Sequence, residues 1–147
     1  MKTGKISERL MVGGQPTEDD LRSLKAQGYE AVINLRRDGE AQPPLDPAGE
    51  GKAAAAAGLK YFHIPVNSSD PQREQVEAVR TAISEVNGPV YVHCQGGGRA
   101  CAMALLGTAP DSGYGSKEMM AQAEKAGFPV SNPAVVAFVC TILDRKA

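Results

Sequence analysis

The sequence predicts an α/β protein, a single domain over residues 1–147. Its expected build has three layers: a central, mostly parallel sheet with helices on both faces. Three observations carry this. Short apolar runs alternate with helix-like segments along the chain, the pattern of strand–helix–strand units. The runs Ala31–Leu35 and Val90–Val92 are apolar without alternation, as strands covered on both faces are. The 147 residues are 42% hydrophobic and show no linker, internal repeat or low-complexity tract, which suits one core.

The elements follow in order. Arg9–Gly14, "RLMVGG", reads as a first strand ended by glycines. Thr17–Gly28 reads as a helix: Thr17 caps it, acids fill the first turn, Leu21 and Leu24 share a face, and Gly28 stops it. Ala31–Leu35 is the next strand. Arg36–Glu50 is polar and rich in Pro and Gly, so a loop is expected. Gly51–Gly58 is a short Ala-rich helix. Leu59–Val66 is a strand and Asn67–Pro71 a turn. Asp70 and Pro71 then read as cap and first residue of a helix that carries Val76, Val79, Ile83 and Val86 on one face. After the strand Val90–Val92, Arg99–Gly107 is small and apolar all round, hence a buried helix. Ala109–Ser116 reads as a loop. Two more helices are expected, Lys117–Ala126 and Pro133–Arg145, the latter capped by Asn132.

A net charge of −1 gives no general attraction to nucleic acid or to a membrane surface. Cys94, Cys101 and Cys140 are too few and too unevenly spaced for a disulfide framework, so reduced thiols are expected. No signal-peptide pattern or membrane-length apolar run occurs, which places the chain in the cytoplasm unless a leader has been removed. His63, His93 and the cysteines lack metal-ligand spacing, and neither metal nor organic cofactor is implied.

The chemistry concentrates in "HCQGGGR", His93–Arg99, between a strand and a buried helix. In parallel sheets ligands bind at the carboxyl ends of strands, and Cys94 stands at one. A glycine-rich turn at a helix N-terminus aims several backbone N–H groups at one point. An arginine entering that helix can grip an oxyanion with two N–H groups. The same amides and cation favour a thiolate over a thiol, so Cys94 is placed to be nucleophilic. His93 either orients the loop by bonding backbone, or stabilises the thiolate, or simply ends the strand. Cys101 and Cys140 read as packing residues, with Cys101 a candidate resolving thiol.

"HCQGGGRA" resembles the signature loop of cysteine-based tyrosine and dual-specificity phosphatases. With "GQPT", "VINLR" and "YFHIPV", the stretch Ile6–Leu106 resembles the bacterial tyrosine-phosphatase-like family that also occurs on beta-lactamase-hydrolase-like proteins. The helical part 107–147 matches more loosely. The resemblance implies a dual-specificity-phosphatase-like fold and hydrolysis of phosphate monoesters through a phosphocysteine. It implies Cys94 as nucleophile, Arg99 as phosphate clamp and the amides of Gln95, Gly96, Gly97, Gly98 and Arg99 as the oxyanion cradle. It also implies an acid after "YFHIPV", for which Asp70 is the first candidate and Asp38 the second. A phosphorylated protein or small molecule would be the substrate; oligomeric state is not readable.

The chain departs from that pattern. Four residues separate Cys94 from Arg99 where such loops have five, and Ala100 stands where a Ser or Thr hydroxyl is usual. Asn67 and Ser68 occupy positions where the family's acid often lies. Arg36 and Arg37 read as a solvated pair, with anion binding as the alternative. Two other functions stay open on these residues. One is rhodanese-like sulfur transfer through a Cys94 persulfide, which the short loop suits. The other is a phosphate- or phosphoprotein-binding module with little turnover, which Ala100 suits.

Overall fold

A computed structural model describes residues 2–112 and 115–144. The order is β1 (Thr3–Ser7), β2 (Leu10–Gly13), α1 (Glu18–Ala26), β3 (Ala31–Asn34), α2 (Pro47–Ala57), β4 (Lys60–His63), α3 (Arg73–Ser84), β5 (Val90–His93), α4 (Gly98–Ser112), α5 (Ser116–Lys125) and α6 (Pro133–Leu143). The sheet runs β1-β2-β5-β3-β4, with β1 antiparallel to β2 and all other pairs parallel. The mostly parallel α/β sheet expected from the sequence is the one found.

Strands β2 to β5 split their side chains between two helical layers, because successive residues point to opposite faces. Val32 and Tyr91 pack with Leu21 and Leu24 of α1 and Ala54 of α2. Ile33, Val90, Val92 and Cys94 pack on the other side with α3, α4, α5 and α6. The small, all-round apolar α4 lies in that second layer, with Ala100 to Leu106 all buried. Its slim side chains let it sit against β2, β5, α3, α5 and α6 at once.

Several boundaries depart from the sequence reading. An antiparallel β1 precedes the first expected strand; its half-exposed residues carry little apolar signal. The expected loop Arg36–Glu50 ends early, because Asp46 caps α2 by accepting from Gly49 N and Pro47 opens the helix. Asp70 caps nothing: α3 starts at Arg73 behind Gln72, whose N–H donates to the Gln75 side chain. The expected loop Ala109–Ser116 is helical through Ser112, continuing the buried α4 past Ala109. Residues 113–114 of that loop, and the expected helix end Arg145, lie outside the described residues. α1 follows expectation closely: Thr17 accepts from Asp20 N, and Asp20 accepts from Thr17 N. Among the described residues no helix is long and apolar enough to cross a membrane.

Candidate active site

Gly13, His93 and Asn34 stand side by side in register at the carboxyl ends of β2, β5 and β3. The chain leaves β5 into Cys94–Gly97 and enters α4 at Gly98. The turn folds around sulfur: Cys94 Sγ accepts from Gly97 N at 3.1 Å and from Ala100 N at 3.4 Å. Two amides at the start of α4 thus point at the thiol, where the helix dipole also favours negative charge. Of the three glycines only Gly97 needs to be one. Its φ is +106°, and a Cβ there would lie 2.1 Å from Cε1 of Phe128. Gly96 and Gly98 have open space and no positive φ. Phe128, buried just after α5, supports the turn from below.

Arg99 lies over the loop in a fixed pose. Its Nη1 donates to Glu40 Oε2 at 2.9 Å and to the Val66 carbonyl at 2.7 Å, and its Nη2 donates to Glu40 Oε1 at 2.8 Å. Of the five guanidinium N–H groups, three are used. The Nε–H and the second Nη2–H share the remaining edge, the geometry that takes an oxyanion two-handed, and the guanidinium also interacts with the Cys94 side chain. The hydrogen bond from Arg99 is the main reason that Glu40 titrates at about 2, with the Arg37 backbone amide and both guanidinium charges adding to it. Glu40 is therefore an anchor for Arg99 and not a proton donor.

His93 is on the other side of the sheet from the sulfur. Its ring is fully buried, stacks on Tyr91 at 5.9 Å, and places Nδ1 3.2 Å from the Cys94 carbonyl and Nε2 2.5 Å from Glu50 Oε2. His93 is the last residue of β5 and its ring also contacts the loop backbone at the Cys94 carbonyl, while it lies away from the sulfur. Glu50, also fully buried, accepts from Gln15 Nε2 at 2.6 Å. Gln15 Oε1 accepts from Arg36 Nη1 at 2.8 Å, and Arg36 Nη2 donates to the Glu40 carbonyl at 2.8 Å. Arg36 is therefore not solvated: it is 6% exposed and belongs to the site. Arg37 is exposed and reaches Glu40 Oε2 at 3.3 Å. Asp38 is exposed.

A pocket of about 220 Å³ opens above the loop, floored by Cys94, Gly96, Gly98 and Arg99. One wall is Ser68; the other is the α5–α6 connection, Pro129 to Asn132, with Val135. Asn132 Oδ1 is turned to Ala134 N at 2.9 Å as the cap of α6. Asp70 does not line this pocket. It is exposed, two residues beyond Ser68 on the same turn, with its Oδ1 accepting from Gln72 Nε2 at 2.8 Å. Cys101 lies fully buried, and burial with the nearby Cys94 charge pushes its thiol up to about 12, which removes it as a ready resolving nucleophile. Cys140 is exposed. Among the described residues no His, Cys, Asp and Glu group is arranged to hold a metal ion.

Sequence reading missed Gln15, Glu40, Glu50, Phe128 and the pocket wall 129–135. Glu50 carried a faint signal: it shares the buried face of α2 with Pro47 and Ala54. The others meet the loop only through tertiary folding.

Comparison with known proteins supports the phosphatase-like fold. A beta-lactamase hydrolase-like protein of Agrobacterium fabrum (strain C58) is 41% identical over 111 residues, 76% of this chain. The chain spans only about a quarter of that protein, 26% of its length. Among crystal structures, a DUF442 protein of Shewanella putrefaciens CN-32 is 29% identical, with a TM-score of 0.79 over 95% of this chain and 89% of its own. Tk-PTP in its active form superposes with a TM-score of 0.82 over 98% of this chain and 97% of its own, at 21% identity, and so shares the fold. Residues 3–111 match the family described as beta-lactamase hydrolase-like protein, phosphatase-like domain. With that match over most of its length and the tyrosine-phosphatase-like fold in place, the chain belongs to that phosphatase-like family.

Proposed function

We propose that this chain folds as one domain and hydrolyses phosphate monoesters through Cys94, with a phosphocysteine intermediate. The carrying observation is the convergence on one pocket floor of a sulfur that accepts two amides and an arginine with one edge left by Glu40. The Cys94 thiolate attacks phosphorus in line, and the bond from phosphorus to the ester oxygen breaks. Amides of Gln95 to Arg99 and the remaining edge of Arg99 hold the equatorial oxygens as charge builds on them. Asp70 is the proposed acid: it gives its proton to the leaving oxygen, then takes one from the water that attacks the phosphocysteine. Inorganic phosphate and the thiolate are regenerated. The turn of Asp70 borders the pocket through Ser68, two residues before it.

Substrates are then phosphorylated proteins or small molecules, and the need for a reduced Cys94 suits a cytoplasmic setting. Ala100 favours a second reading, a phosphate-binding module with slow turnover, since no hydroxyl follows the clamp. The Ala100 amide on Sγ offsets that loss in part. The test is phosphate release from an activated aryl phosphate. Release that disappears in Cys94→Ser is the expected result. Phosphate binding without Cys94-dependent release would leave the binding module, and thiocyanate formation from thiosulfate would replace both with sulfur transfer.

A further inference from the structure

One side chain joins the two ends of the loop. Gln15 follows β2, and its backbone N–H donates to the Gln95 carbonyl at 3.3 Å. Its amide nitrogen donates to Glu50 Oε1 at 2.6 Å and to the Pro16 carbonyl at 3.1 Å. Its amide oxygen accepts from Arg36 at 2.8 Å. Every hydrogen-bonding group of the amide is engaged, and a carboxylate on one side with a guanidinium on the other admits only this orientation. On the Glu50 side the chain of contacts continues to His93 and the Cys94 carbonyl. On the Arg36 side it continues to Glu40 and the two terminal nitrogens of Arg99. Glu50 and His93 are fully buried and Arg36 nearly so, while Gln15 and Glu40 are half-buried, so a partner lost on the Glu50–His93 side is not readily replaced by water.

We propose that Gln15 is a positioning residue that couples the nucleophile end of the loop to its phosphate clamp. The proposal rests on the loop being a phosphate site. A shift of Glu50 is passed through the Gln15 amide to Arg36, and through Glu40 to the pose of Arg99. Glu50 touches neither Arg99 nor the pocket, so its effect on anion binding travels either through His93 to the Cys94 carbonyl or through Gln15 to Arg36 and Arg99, and the double variant separates the two routes.

The experiment reads alkylation of Cys94 by iodoacetamide, followed by mass on its peptide, with inorganic phosphate as protecting ligand. It gives two numbers, the alkylation rate and the phosphate concentration for half protection, and neither needs turnover. The proteins are the unaltered chain, Gln15→Met, Glu50→Gln and the double variant. Expected is a rise of about three- to tenfold in the half-protecting phosphate concentration for Glu50→Gln, and no further rise when Glu50→Gln is added to Gln15→Met. Fold-changes that multiply, or a Glu50→Gln protein with unchanged protection, overturn the coupling. Should Gln15→Met lack a cooperative melt, Gln15→Asn replaces it; its amide is one methylene too short to bridge both partners. Absence of protection in the unaltered chain overturns the phosphate-site reading itself, and the coupling with it.

Discussion

Glu40 holds Arg99 by both carboxylate oxygens, at 2.9 and 2.8 Å, and leaves the rest of the guanidinium to interact with the Cys94 side chain at the pocket floor. On the proposed phosphate reading, Arg99 is thus set before any substrate arrives, and its side-chain entropy is spent in folding and not in binding. Glu40→Gln is expected to weaken phosphate protection of Cys94 by about tenfold, because a neutral amide grips a guanidinium less firmly than a carboxylate. Unchanged protection would show that Arg99 is positioned by the Val66 carbonyl alone.

The same pair sets an acid limit. Glu40 titrates at about 2 in the folded chain against an ordinary 4.5. A lowered folded-state value means stability that is fully present above the ordinary value and is lost as pH falls through the folded one. Urea midpoints of the unaltered chain should therefore fall between these two pH values more steeply than those of Glu40→Gln. Parallel curves would mean that other carboxylates dominate acid unfolding.

Gly97 and its neighbours separate strain from space. Gly97→Ala combines a positive φ with a collision against Phe128, and should cost about 1–3 kcal/mol in stability and most of the activity. Gly98→Ala meets open space at the first position of α4 and should stay within about 0.5 kcal/mol of the parent. Thermal melts of the two decide it, and equal losses would refute the assignment.

Asp70 is tested by the leaving group. If it protonates the ester oxygen, Asp70→Asn should slow hydrolysis of an unactivated alkyl phosphate by about 10²–10⁴ and leave an activated aryl phosphate nearly unaffected. Equal effects on both esters would remove Asp70 from proton transfer.

Labelling follows access. Iodoacetamide at neutral pH should modify the exposed Cys140 and also Cys94, buried but lining the pocket, and leave Cys101 untouched while the chain is folded. Label on Cys101 at the rate of Cys140 would contradict the buried, un-ionised thiol.

How far the sequence could be read depended on how local each signal was. The strand, the cysteine turn and α4 are consecutive, so their chemistry was visible as one string. The Thr17 cap and Gly28 stop of α1 were equally local, and both hold. Glu50 meets His93 from 43 positions away, and Glu40 meets Arg99 from 59, so neither pairing leaves a trace in spacing. Arg36 looked solvated because its neighbours are charged, yet the fold closes over it. Asp46-Pro47 carried the same cap signal as Asn132-Pro133, but the surrounding prolines hid it. Asp70-Pro71 showed that signal too, and there the helix starts two residues later.

β5 sends Tyr91 and His93 to the α2 side of the sheet and Val92 and Cys94 to the α4 side. The protein therefore depends on odd and even. A residue added to or taken from the loop between Cys94 and Arg99 changes the size of the cradle but leaves each of those side chains in its own layer. A residue added within β5 exchanges the layers, turning the sulfur toward Glu50 and the imidazole toward the apolar core. Loop length is open to variation in such a design, while the parity of the strand is not.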